Sequence, residues 1–81
     1  MTVEEANYLG PGDALRVSVE GLVRHGLEGR SVQGSYVSQF ESPKNGRLII
    51  VRLPDTRAYG FRLDEIEIIR LLRRKRVRQA D

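Results

Sequence analysis

The sequence contains no cysteine and no tryptophan, and it has only one histidine and one methionine. The absence of cysteine excludes disulfides, thiolate zinc sites and a cysteine nucleophile. A single histidine cannot supply the imidazole pair that many metal and catalytic sites use. A chain of 81 residues builds one small hydrophobic core and no deep cleft between domains. We therefore expect a protein that is not an enzyme and holds no metal and no cofactor.

Long apolar runs are also missing. No stretch approaches the roughly 20 apolar residues that a transmembrane helix requires. The first ten residues, MTVEEANYLG, are acidic, whereas a signal peptide begins with basic residues. These features predict a cytoplasmic protein with no membrane partner.

Charge is distributed unevenly along the chain. The formal net charge is +3, from 14 basic and 11 acidic residues. Six of the basic residues lie between positions 70 and 78, where there is no acid. Because Asp81 is the one acid beyond that point, residues 1–69 keep eight basic and ten acidic residues. A block of like charge at one end is typical of an interaction tail.

Turn-forming residues divide the chain into short segments. Turn composition is found in three places: Gly10-Pro11-Gly12-Asp13, Asn45-Gly46 and the stretch from Pro54 to Arg57. Between them, apolar and polar residues alternate with the period of two that β-strands require. Residues 20–29 contain three glycines and no regular period, which predicts a long loop. We predict strands near residues 14–19, 30–40, 47–53, 58–63 and 66–70.

The segment after Leu63 has two interpretations. A short turn and a strand over 66–70 would suit the consecutive Ile68 and Ile69. A helix from Asp64 to Arg78 would instead place acids in its first turn and cations in its last, which suits the helix dipole. We favour the strand.

The apolar positions of these strands predict the core. Residues 48–53 form the most apolar segment and are expected to be the central strand. Gly34 predicts a bend or a bulge. Phe40 and Phe61 are expected in the core, and Tyr36 and Tyr59 are expected to be more exposed. The residues expected to be buried together are Leu15, Val17, Val32, Ile49, Val51, Phe61 and Ile66.

The stretch from Arg47 to Ile69, RLIIVRLPD followed by YGFRLDEIEII, resembles the closing strands of SH3-like β-barrels. It is similar to KOW-type domains of ribosomal proteins and elongation factors, and to SH3-like accessory subunits of photosynthetic electron-transfer complexes. The resemblance covers residues 12–70. It implies a mainly β fold, a small five-stranded SH3-like barrel with a one-turn helix before the last strand. Residues 1–11 would then be an N-terminal extension, and residues 71–81 a basic C-terminal tail.

Side chains of catalytic type lack the partners that catalysis needs. His25 lies in a glycine-rich loop, and no acid or nucleophile is placed beside it by the sequence. Asp64 and Glu65 are expected to cap the single turn, and Glu67 is expected to face water. The enzyme class is therefore the least favoured.

The arginine-rich end carries the functional prediction. Six cations in nine residues exceed what solubility requires, and phosphates or an acidic protein surface would attract them. We expect a binding module for an anionic partner, and among such partners we favour RNA or DNA. The alternative is an accessory or adaptor subunit that docks on an acidic protein surface. The candidate binding residues are Arg70, Arg73, Arg74, Lys75, Arg76 and Arg78, with Arg52, Arg57, Arg62 and Tyr59.

Overall fold

Five strands and two short helices make up the fold in the computed structural model, which describes residues 1–27 and 29–71. A 3₁₀ turn, Leu63–Glu65, precedes the last strand, as predicted. The helices and strands are α1 Val3–Ala6, β1 Ala14–Val17, α2 Val19–Arg24, β2 Val32–Ser42, β3 Gly46–Arg52, β4 Ala58–Arg62 and β5 Ile66–Arg70.

The strands form one antiparallel sheet in the order β4-β3-β2-β1-β5. The mainly β class is therefore confirmed, and β5 confirms the strand interpretation of residues 66–70 over the helix. The central strand is β2, so the prediction that residues 48–53 are central was wrong. β4 and β5 are the two edges, and no pairing between them closes a barrel within the described residues.

The turn before β1 follows directly from its residue types. Proline fixes φ at the second position of this turn, and Gly12 takes the positive φ of 92° that the third position needs. The Asp13 N–H then donates to the Gly10 carbonyl at 3.0 Å. The buried Asp13 carboxylate accepts the Gly10 N–H at 2.8 Å, so both ends of the turn are tied.

The core lies on one face of the sheet, here called the inner face. Six of the seven residues expected there are buried, and Val32 is only partly buried against them. The prediction for Tyr36 was wrong, since it is 8% exposed, and Phe40 is 50% exposed rather than buried. Ala6 and Leu9 of the N-terminal segment also belong to the core. The buried apolar residues are Ala6, Leu9, Ala14, Leu15, Val17, Leu22, Tyr36, Ile49, Val51, Leu53, Phe61 and Ile66.

The burial of Tyr36 and the exposure of Phe40, the reverse of what was predicted, have one cause. The register of β2 against β3 shifts between Tyr36 and Ser38, so that Val37 is an extra residue in β2. A single extra residue reverses which face each later side chain occupies. Tyr36 therefore faces inward and Phe40 outward, although their even numbering predicts a shared face. The sequence predicted a bend or bulge at Gly34, and the bulge lies three residues later, at Val37.

The segment predicted as a loop over residues 20–29 begins with a helix, and β1 ends two residues earlier than predicted. Ser18 is the reason, because its hydroxyl accepts the Gly21 N–H at 3.2 Å and caps α2. α2 then buries Leu22 against the core.

Candidate binding face

The face of the sheet opposite the core, here called the outer face, carries three rows of side chains on β2, β3 and β4. Residues directly opposite each other on antiparallel strands share a face. The register therefore gives three rows, Phe40–Leu48–Arg62, Ser38–Ile50–Gly60 and Ser35–Arg52–Ala58.

The middle of the outer face is apolar and open. Phe40 is half exposed, and Leu48 and Ile50 are partly buried. Gly60 adds no side chain, and a Cβ built there would lie 3.4 Å from Ile50 Cδ1 and 3.9 Å from Leu48 Cδ1. The ends of these two side chains therefore lie close to the Gly60 backbone, at the distance of ordinary van der Waals contact.

The charges on the outer face are mostly positive. Arg52 and Arg62 are exposed at opposite ends of the three rows. The register extends the same face to β1 and β5, where it adds Arg16, Arg70 and the acid Glu67. Glu67 lies 3.4 Å from Arg16, so each partly neutralises the other. Among the strand positions that the structure describes on this face, four are arginines and one is an acid.

The nine predicted cations of the site fall into three groups. Arg52, Arg62 and Arg70 lie on the outer face. Arg57 is exposed in the turn between β3 and β4, where its backbone N–H donates to Asp55 Oδ1 at 2.9 Å. The remaining predicted cations lie outside the described residues; they are Arg73, Arg74, Lys75, Arg76 and Arg78.

Tyr59 lies on the inner side, away from Arg52 and Arg62. Its register partner is the buried Val51, and its hydroxyl donates to Asp55 Oδ2 at 2.9 Å. The aromatic ring that shares the outer face with these arginines is instead Phe40, which was expected in the core. Phe40 could have been assigned to the outer face only if the bulge had been known. Nothing in the local residue pattern places that bulge at Val37.

A second cluster of charged side chains holds α2 against β4. Arg24 donates to the Glu65 carboxylate through Nη2 at 2.6 Å and through Nε at 2.9 Å. The Glu65 carboxylate also accepts the Arg62 N–H at 2.8 Å, as expected for an acid that caps the 3₁₀ turn. His25 Nε2 lies 2.7 Å from the Gly60 carbonyl oxygen, and its ring packs against Phe61 at 5.1 Å.

These contacts shift the pKa values of the two charged groups in that cluster. The hydrogen bond from Arg24 lowers the pKa of Glu65, although burial of the carboxylate acts in the opposite direction. The same hydrogen bond raises the pKa of Arg24. Both groups thus stay charged and paired at neutral pH, which is a structural role. Within residues 1–27 and 29–71, no three acids or histidines are grouped so as to hold a metal ion.

Comparison with protein-family models, with curated proteins and with solved structures gives no match. In the described part of the chain, no helix has the length and apolar character needed to cross a membrane. Function is therefore inferred from the geometry and charge of the outer face.

Proposed function

We propose that this protein is a non-enzymatic module that binds nucleic acid through the outer face and the basic residues 70–78. The observation that carries the proposal is the bias of the outer face, on which four arginines and one acid lie. We also propose that the fold is SH3-like. This is supported by the five-stranded antiparallel sheet, by the 3₁₀ turn before β5 and by the resemblance of residues 12–70.

Arginine suits this role because its planar guanidinium presents several donors to phosphate oxygens. Arg52 and Arg62 stand two rows apart, which is about 13–14 Å along the strands. An extended polyanion can contact both while its charge is also neutralised by the cluster at residues 70–78. Each phosphate contact releases condensed counterions, so the binding must weaken as the salt concentration rises.

The decisive experiment is a titration of the full chain with single-stranded RNA, with duplex DNA and with an acidic protein at about 0.15 M salt. We expect binding to the nucleic acids that weakens with salt, and much weaker binding to the protein. If both nucleic acids bind no more tightly than about 10⁻⁴ M, the weak limit of non-specific association, the proposal is wrong. Tight binding of the acidic protein alone would instead support the adaptor class.

Arginine variants test which residues make the contacts. Replacing Arg73, Arg74 and Arg76 together by alanine should reduce the salt dependence on duplex DNA by up to about three phosphate contacts. Arg52→Ala and Arg62→Ala should each weaken binding on the outer face. Arg30→Ala is the matched control, since Arg30 is exposed in the loop before β2 and lies outside the outer face. An equal loss for Arg30→Ala would show that net charge alone matters.

A further inference from the structure

Phe40 is the one aromatic side chain among the described strand positions of the outer face, and half of its surface is in contact with water. The ring points outward and belongs neither to the core nor to the residues packed against it. Leu48 stands beside Phe40 in the same row, and Arg62 follows on β4. A ring with an open surface and a cation farther along the same row is an arrangement on which bases of single-stranded nucleic acid can stack while a phosphate is contacted.

We infer that the outer face selects single strands, with an unpaired base stacked on Phe40 and the adjoining phosphates held by Arg62 and Arg52. This inference rests on the proposed function and adds the class of nucleic acid to it. Stacking requires a free base surface, which a duplex hides inside its own stack. Phe40 is therefore expected to contribute to the binding of single strands and not to that of duplexes.

The distances across the sheet fit this arrangement. Neighbouring strands lie about 4.8 Å apart, so the strand that bears Arg62 is about 10 Å from the strand that bears Phe40. Leu48 lies between them in the same row, partly buried, and offers an apolar side chain to the sugar or to a second base. The row of Arg52 lies two rows away along the strands, and a few nucleotides are sufficient to contact both arginines and the ring.

The small residues of the outer face keep it accessible to a polyanion. Gly60 in the middle row has no side chain, and Ser35, Ser38 and Ala58 are small. The outward positions of β2, β3 and β4 carry no acid among the residues that the structure describes. The charge therefore favours a phosphate backbone over an apolar or basic protein segment on the same surface.

The test compares Phe40→Ala with the natural chain on an unstructured single strand and on a duplex of equal length. Loss of one stacked base predicts binding of the single strand that is roughly 5- to 150-fold weaker. The affinity for the duplex is expected to stay within about twofold, since its contacts are made to phosphates. Val23→Ala is the matched control, because Val23 is 61% exposed on α2, away from the outer face.

Phe40→Trp gives a direct measure of stacking. The chain has no tryptophan, so the indole of this variant is its only one and reports on its own position. We expect affinity for the single strand to be kept, and the indole fluorescence to be quenched by the single strand but not by the duplex. Circular dichroism of both variants should match the natural chain, since Phe40 is outside the core.

The possible outcomes separate this inference from the proposed function. If single strand and duplex both bind and Phe40→Ala changes neither, nucleic-acid binding holds and the stacking site is wrong. An equal loss on both ligands would also contradict stacking. If neither ligand binds, the proposed function fails and the inference fails with it.

Discussion

Arg24 and Glu65 form a bidentate ion pair that joins the end of α2 to the 3₁₀ turn before β5. The Glu65 side chain is only 9% exposed, whereas that of Arg24 is 32% exposed. Arg24 Nη2 also donates to the Gly60 carbonyl at 3.3 Å, on the edge of β4. Together with His25, it covers a carbonyl group that an edge strand would otherwise offer to another chain.

Arg24→Leu is expected to destabilise the protein because it leaves the Glu65 carboxylate buried without its main partner. The cost of such an unpaired group is about 1–3 kcal/mol in the free energy of unfolding. The partial exposure of Arg24 argues against the larger losses found for fully buried pairs. Urea denaturation of the variant and of the natural chain measures the difference.

Arg16→Leu is the control for this prediction. Arg16 pairs with Glu67, and their side chains are 51% and 71% exposed. An exposed ion pair contributes about 0.2–1 kcal/mol, so this variant should lose clearly less stability. Equal losses for the two variants would mean that the burial of Glu65 does not set the strength of its pairing.

The pH dependence of stability should also report on Glu65. Its pKa in the folded protein lies below the usual value, because Arg24 and the Arg62 N–H hydrogen-bond to the charged form. The resulting stabilisation is complete above the pKa of an unfolded glutamate, about 4.3, and it is lost as the pH falls through the lower folded value. Glu65→Gln should therefore flatten the acid side of the stability profile.

The Asp55 carboxylate has a lowered pKa as well, chiefly through the hydrogen bond from the Arg57 N–H, but it is exposed. Asp55→Asn is thus the appropriate comparison for Glu65→Gln. Urea titrations from neutral pH into the acid range compare the two variants as the carboxylates of the natural chain take up protons. If the stability of Glu65→Gln falls as steeply with decreasing pH as that of the natural chain, protonation of Glu65 does not cause the loss of stability in acid.

The strands could be predicted because alternation and turn chemistry are local properties. Leu15 and Val17, for example, are buried as the period of two requires. The bulge at Val37 could not be predicted in the same way, since it is set by how β2 meets β3. The bulge places Phe40 on the outer face, and for that reason the sequence did not predict Phe40 as part of the candidate site.

The ion pair was missed for a related reason. Arg24 and Glu65 are 41 positions apart, and only the packing of α2 beside the 3₁₀ turn brings them together. The sequence indicated that Glu65 would cap the turn, because that hydrogen bond spans three residues. The pairing of Glu65 with Arg24 depends on tertiary structure, which no local sequence pattern contains.

Gly34 and Gly60 give a matched pair of substitutions within the sheet. Gly34 lies in β2 close to β3, and a Cβ built there would stand 2.6 Å from the Arg52 carbonyl oxygen and 2.6 Å from Val51 Cγ1. Because a backbone atom cannot move aside alone, Gly34→Ala should lower the free energy of unfolding by about 1–3 kcal/mol, the usual cost of overpacking. At Gly60 the nearest atom would be 3.4 Å away, an ordinary contact.

Gly60→Ala should therefore leave stability unchanged or raise it by up to about 1 kcal/mol, because alanine reduces the conformational entropy of the unfolded chain. The urea midpoints of the two variants provide the comparison, with the natural chain as reference. A loss at Gly60 as large as that at Gly34 would show that strand position alone, and not close approach of the backbone, determines the cost. A loss confined to Gly34 would support the close packing of β2 on β3 that positions the outer face.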